Sequence, residues 1–218
     1  MDTGVLTRPA MRGRLHLWTF FVAIAAGAAM VTLAAFTVSA RAAIGTSVYT
    51  VTVLGLFGVS ALYHRRWWIN ARARALMKRL DHSMIFLFIA GTYTPFALLA
   101  MPGATGPAVL TVVWAGAAAG VALKLAWPYA PRWLSISIYI ALGWVAIFVL
   151  PDLMANLSTV TLVLLLVGGV CYTVGAVCYA IRWPDPWPAV WGHHEFFHAA
   201  TVVAAICHNI AIWLTLYS

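Results

Sequence analysis

The sequence is short of charge, and above all of negative charge. Only 8% of its 218 residues are charged, just five are Asp or Glu, and 64% are hydrophobic. A soluble domain carries about 25% charged residues, and no soluble fold of this length could hide so much apolar surface. The composition therefore excludes a water-soluble protein and predicts a single membrane domain over residues 1–218.

Cysteine is also scarce, with three residues and no CxxC motif. Cys171, Cys178 and Cys207 all lie inside apolar runs. This pattern excludes a disulfide framework, and we interpret the three thiols as small apolar fillers.

The net charge of +8 comes from basic residues that sit between apolar runs. This placement favours an orientation signal over a nucleic-acid footprint, so no nucleic-acid partner is expected. The first apolar run follows Arg8, Arg12 and Arg14, as in a signal peptide. It is longer than a signal core, so we expect it to remain as the first span.

Seven apolar runs are long enough to cross a bilayer, which takes about 20 residues of helix. They cover about 17–39, 43–63, 81–100, 106–127, 133–150, 158–181 and 195–217. The fifth run is short and could be tilted or interrupted at Gly143. The sequence thus predicts an all-α integral membrane protein, a seven-transmembrane helix bundle in the inner (plasma) membrane.

The basic residues predict the orientation of this bundle. One side receives the N-terminus and the loops 64–80, 128–132 and 182–194. Its basic residues are Arg8, Arg12, Arg14, Arg65, Arg66, Arg72, Arg74, Lys78, Arg79, Lys124, Arg132 and Arg182, whereas the other side has only Arg41. The N-terminus is therefore expected in the cytoplasm and the C-terminus outside.

Three polar groups at membrane depth are candidates for chemistry, because ionisable residues there are costly and seldom idle. Ser60 and His64 end the second span, Asp81 and His82 open the third, and a cluster opens the seventh. That cluster contains His193, His194, Glu195 and His198. The topology places all three groups at the cytoplasmic end, and they meet only if spans two, three and seven are neighbours.

The histidines have the spacing of a metal site. His194 and His198 are one helical turn apart, so their side chains converge, and His64 supplies a third nitrogen. Three protein ligands plus a water are typical of an open, catalytic zinc site. Asp81 is the candidate base beside that water, and Ser60 the candidate hydrogen-bond donor to the water or to an oxyanion.

Other polar residues near these groups have simpler interpretations. His82 and His193 point about 100° away from the candidates and are interpreted as interfacial. Glu195 is expected to face solvent or to support the ligands from behind. His208 lies about 20 Å deeper than His194, where it either shapes a polar cavity or is a hydrogen-bonded core residue.

The ordered set of motifs resembles the hemolysin III family, the bacterial branch of the progestin and adipoQ receptor family. The motifs are Ser60-Ala-Leu-Tyr-His64, Leu80-Asp81-His82-Ser83 leading into Ala90-Gly91-Thr92-Tyr93-Thr94-Pro95, and His194-Glu195-Phe196-Phe197-His198. The spacing from His64 to Asp81 is also similar to that of adiponectin receptors. The resemblance spans nearly the whole chain, from the second apolar run to the last.

This resemblance implies a zinc ion held by His64, His194 and His198, with Asp81 acting through water and Ser60 beside it. It further implies a place among membrane hydrolases that act on lipid amides such as ceramides. Membrane lipids are the implied partners, and membrane homeostasis is the implied role. The amphipathic hairpin pattern of a secreted pore former is absent.

Three other functions remain open at this point. The residues 194–198 match HExxH, which would make Glu195 the base of an intramembrane metalloprotease. A closed zinc site would instead suit a sensor or receptor without turnover. A channel or pore-type haemolysin would need a polar stripe along several helices, and spans one, four, five and six have few such residues.

Overall fold

A computed structural model describes residues 8–127 and 129–217, with the side chain of Arg132 outside that description. Residues 1–7, 128 and 218 of the predicted domain, and the side chain of Arg132, which contributes to the charge bias, therefore lie outside the described residues. Within the described residues the chain is all-helical.

In the part of the chain that the structure describes, eight α-helices contribute to seven segments long and apolar enough to cross a membrane. They are α1 (Arg14–Leu33), α2 (Ala40–Arg65), α3 (Ala71–Leu99), α4 (Thr105–Ala126), α5 (Arg132–Gly143), α6 (Leu150–Asn156), α7 (Thr159–Ile181) and α8 (His193–Leu216). A π-helical turn, Ala34–Val38, extends α1, and a 3₁₀ segment, Trp144–Val149, joins α5 to α6. The predicted all-α, seven-span bundle is confirmed.

Two segments differ from the expected bounds. The third helix begins at Ala71 rather than at 81, because the Asn70 side chain accepts hydrogen bonds from the N–H groups of Arg72 and Ala73. Hydropathy marks only the apolar part of this helix and does not detect its basic first turns. The fifth span is interrupted at Gly143 but continues to Asn156, with Pro151 in the first turn of α6, where proline is tolerated.

The bundle is arranged so that the helices bearing the candidate residues are neighbours. α2 packs between α1 and α3, and α8 packs on α7 while also touching α1 and α3. Phe57, Phe86 and Ile212 are almost fully buried between helices, whereas Phe36 and Phe148 are each 86% exposed. Large apolar side chains on the outside are favourable when the surroundings are lipid tails.

Candidate metal centre

Three imidazoles meet at one end of the bundle, which we call the histidine end. His64 lies in the last turn of α2, and His194 and His198 lie in the first two turns of α8. The Nε2 atoms of His64 and His194 are 3.2 Å apart, and one ring nitrogen from each of the three residues lies within 4.8 Å of the others. Residues separated by 130 positions therefore form one cluster, as the sequence required.

The spacing of one pair of ring nitrogens is compatible with zinc. Zinc–nitrogen bonds of about 2.0–2.1 Å around a tetrahedral centre put two ligand nitrogens about 3.4 Å apart, close to the 3.2 Å observed here. The site is also shielded, since His198 is 3% exposed and His64 is 9% exposed. His64, His194 and His198 could thus hold an ion, while their role as ligands stays a prediction.

Asp81 lies beside this cluster without joining it. Its Oδ2 atom is 3.8 Å from Nε2 of His64 and 3.7 Å from Nδ1 of His82. These distances are too long for direct hydrogen bonds, and a contact of this length is commonly bridged by water. The carboxylate therefore lies next to the histidine cluster, and its role as a base stays a prediction.

Ser60 lies one turn before His64 on α2 and is buried. Like Asp81, it lines a cavity at the histidine end. Its closest hydrogen-bond partner is Nδ1 of His16 at 2.8 Å. A hydroxyl has one proton to donate and two lone pairs, so a Ser60 that accepts from His16 keeps its proton for a group in the cavity.

His16 is a member of this site that the sequence analysis missed. It lies in the first turn of α1 and is 2% exposed. Its ring stacks in parallel on His198, with centroids 3.7 Å apart, and its Nε2 atom is buried without a hydrogen-bond partner. The signal was available, because His16 is an ionisable residue at the start of an apolar run on the side of the bundle that holds the other candidates.

Glu195 is not exposed to solvent, so that part of the expectation was wrong. It is 1% exposed, because the chain before α1 covers the start of α8. One carboxylate oxygen accepts the Gly192 N–H at 3.0 Å and caps α8, while the other pairs with Arg12 at 2.5 Å. Both oxygens are already engaged in structural contacts, which disfavours the role of a protease base.

The segment 8–13 closes the histidine end. Arg8 donates hydrogen bonds to the carbonyl oxygens of His64 and Arg66, and the N–H groups of Ala10 and Met11 bond to the loop before α8. Gly13 has a φ of 73°, and a Cβ there would lie 2.6 Å from Cβ of His64. Only glycine allows the chain to pass this close to a candidate ligand.

His82 and His193 lie outside the three-histidine group. Nδ1 of His82 bonds to the Lys78 carbonyl oxygen at 2.7 Å, and Nδ1 of His193 is 4.0 Å from the Asp185 carboxylate. Both side chains are about one-quarter exposed. Their geometry is consistent with interfacial residues.

A cavity of about 150 Å³ runs from the histidine end into the bundle. His16, Ser60, Asp81, His194 and His198 line its outer end. Its walls are mostly apolar, with residues such as Phe88, Ile89 and Ile140, and Tyr172 and His208 line its inner end. An apolar cavity with a few polar groups at one point is typical of a small-molecule site.

Comparison with known proteins matches residues 5–209 to a family model described as Haemolysin-III related. The chain is 32% identical over 153 residues to the Hemolysin-3 homolog of Bacillus subtilis (strain 168), covering 70% of this chain and 68% of that protein. It is 33% identical over 162 residues to Hemolysin-3 of Bacillus cereus, covering 73% and 69%. It is 25% identical over 173 residues to the Monocyte to macrophage differentiation factor of Homo sapiens, covering 78% and 69%.

Proposed function

Because the chain belongs to the haemolysin-III related family, we propose that it is a zinc-dependent hydrolase of a membrane lipid amide or ester. It is a multi-pass inner (plasma) membrane protein. The observation that carries the proposal is the cluster of three imidazoles, with Asp81 beside it, at the end of an apolar cavity. In this role the protein would contribute to membrane homeostasis.

His64, His194 and His198 would hold the zinc ion through neutral ring nitrogens, a ligand set that zinc favours. When bound, zinc supplies Lewis acidity, which polarises a carbonyl and makes water a stronger nucleophile near neutral pH. The parallel stack of His16 on His198 and the hydrogen bond between His16 and Ser60 orient two groups of the site at once.

Asp81 would accept the proton of the attacking water at its carboxylate. A bond forms between the water oxygen and the carbonyl carbon, the carbon–nitrogen or carbon–oxygen bond breaks, and Asp81 passes the proton to the leaving amine or alcohol. The Ser60 hydroxyl would stabilise the negative charge that develops on the carbonyl oxygen. The apolar cavity walls would hold the acyl chain and keep bulk water out.

A pair of isosteric variants tests the mechanism. Asp81→Asn should keep most of the zinc, since the three histidines remain, yet lower the release of lipid product by about 10²- to 10⁴-fold. Product would be measured by mass spectrometry after incubating the purified protein with lipid amides and esters. Glu195→Gln should leave turnover by the folded protein nearly unchanged, because Glu195 holds Arg12 and the cap of α8.

A metalloprotease or a sensor would give a different order of effects for these two variants. A metalloprotease requires Glu195→Gln to be as damaging as Asp81→Asn. Zinc that is lost in Asp81→Asn would make Asp81 a ligand of a closed site. Zinc that remains bound with no turnover in the wild-type protein or in either variant would favour a sensor over the hydrolase.

A further inference from the structure

The inner end of the cavity contains two buried polar atoms that the centre at the outer end does not use. They are Nδ1 of His208 on α8 and the hydroxyl of Tyr172 on α7, and neither has a hydrogen-bond partner. The two rings lie edge to face with centroids 5.5 Å apart. His208 follows His198 by ten positions on α8, which places it about 15 Å deeper along the helix axis.

The proton positions at this inner end follow from the neighbouring atoms. Nε2 of His208 lies 3.2 Å from the carbonyl oxygen of Leu165, which can only accept. Nε2 therefore carries the proton, and Nδ1 of the neutral ring is an acceptor. The Tyr172 hydroxyl is a donor with lone pairs to spare, so two neighbouring rings, with centroids 5.5 Å apart, offer one acceptor and one donor.

The His208 ring is held in place rather than loosely packed. Gly168 on α7 lies against it, and any Cβ at Gly168 would overlap the ring. Tyr172 is one turn after Gly168 on the same face of α7, so the same face of this helix contacts the His208 ring through both residues. Polar atoms fixed in the middle of a membrane protein without partners destabilise it, and residues of this kind commonly mark ligand pathways.

We propose that the inner end of the cavity is a binding subsite for a hydroxyl group on the aliphatic chain of a lipid. The hydroxyl donates to Nδ1 of His208 and accepts from Tyr172, while the chain fills the apolar section and the lipid's polar head lies at the histidine end. The subsite rests on the proposed function for the nature of its ligand, but it requires binding and not hydrolysis.

Fatty acids test the subsite apart from catalysis, because they contain no bond to hydrolyse. The probes are saturated fatty acids of one chain length with the hydroxyl moved stepwise along the chain, each competing with a fluorescent fatty acid for the purified full-length protein. We expect the affinity to peak at one hydroxyl position, about tenfold above the unsubstituted acid, as the net gain from one or two hydrogen bonds implies. A profile without a peak would overturn the proposal.

Tyr172→Phe removes only the hydroxyl and should abolish this peak while leaving the affinity for the unsubstituted acid unchanged. Tyr93→Phe is the matched control, because the Tyr93 hydroxyl lines the same cavity but already bonds to the carbonyl oxygen of Gly143 and the N–H of Ala146. It should keep the peak. A peak that survives in Tyr172→Phe, or a Tyr172→Phe protein with a lower unfolding midpoint without fatty acid, would assign the hydroxyl to another partner such as a buried water and refute the subsite.

Discussion

At the scale of single residues, the three candidate ligands lie on two helices whose ends meet, so that their ring nitrogens lie close together. His64 arrives from the last turn of α2, whereas His194 and His198 are one turn apart at the start of α8. Each would contribute one direct bond to the ion, so removing any of them leaves too few protein ligands for a stable site.

Zinc should therefore co-purify at about one atom per chain, and His64→Ala, His194→Ala or His198→Ala should weaken its binding by orders of magnitude. Elemental analysis of protein never exposed to chelator would measure this. His193→Ala is a control, since His193 is adjacent in sequence to His194 but outside the three-histidine group. A wild-type zinc content near zero would contradict the site.

His16 has two separable contributions, stacking on His198 and a hydrogen bond to Ser60. His16→Phe should retain the stacked ring and hence most of the zinc, but it should lower turnover because Ser60 loses its partner. His16→Ala should lower both. Measuring zinc content and lipid product in the two variants checks this, and equal zinc loss in both would exclude a role for stacking.

At the scale of elements, the segment before α1 is tied to the start of α8. Arg12 pairs with the capping carboxylate of Glu195, and the backbone of this segment bonds to the loop that precedes α8. It also runs against the last turn of α2 at Gly13. The two helices that carry the candidate ligands, α2 and α8, are thus held together by a third piece of chain.

Gly13→Ala should destabilise both the backbone and the candidate centre. The left-handed conformation costs a residue with a Cβ about 1–2 kcal/mol, and the new methyl group would collide with His64. Gly103→Ala is the matched control, because Gly103 also has a positive φ but a Cβ added there would have no neighbouring atom within 4 Å.

Both variants should lower the thermal unfolding midpoint in detergent, and only Gly13→Ala should also reduce zinc affinity. Equal zinc affinity in the two would show that the contact with His64 is not needed to position the ligand.

At the scale of the whole molecule, the histidine end coincides with the basic end of the bundle. Arg65 and Arg66 follow His64, and α3 carries Arg72, Arg74, Lys78 and Arg79 before it reaches Asp81. Basic flanks are retained on the cytoplasmic side during insertion. The candidate centre is accordingly proposed to face the cytoplasm.

Reporter fusions should therefore place the N-terminus in the cytoplasm and the C-terminus outside, as an odd number of spans requires. A C-terminal reporter that is active only in the cytoplasm would contradict this orientation. Replacing Arg41 should leave the topology unchanged, since Arg41 is the one basic residue on the opposite side.

The sequence alone determined the class of protein, the seven spans and most of the candidate residues, including His64, Asp81 and His198. Hydropathy and one-turn spacing are local properties, and each can be evaluated within a single helix. The interruption of the fifth span at Gly143 could be predicted for the same reason, because it depends on the residues of that span alone. The start of α3 at Ala71 could not be predicted from hydropathy, because its first turns are basic and are capped by the side chain of Asn70.

Only the tertiary structure decided which distant residues meet. His16 stacks on His198, and Arg12 pairs with the buried Glu195, although these residues are far apart in the chain. The lack of a partner for Nδ1 of His208 likewise depends on which helices surround it. Such contacts depend on how helices pack and rotate against one another, and a one-dimensional pattern does not encode that rotation. Spacing along a helix sets the face on which a residue lies, whereas the neighbours of that face are set by the packing of the whole bundle.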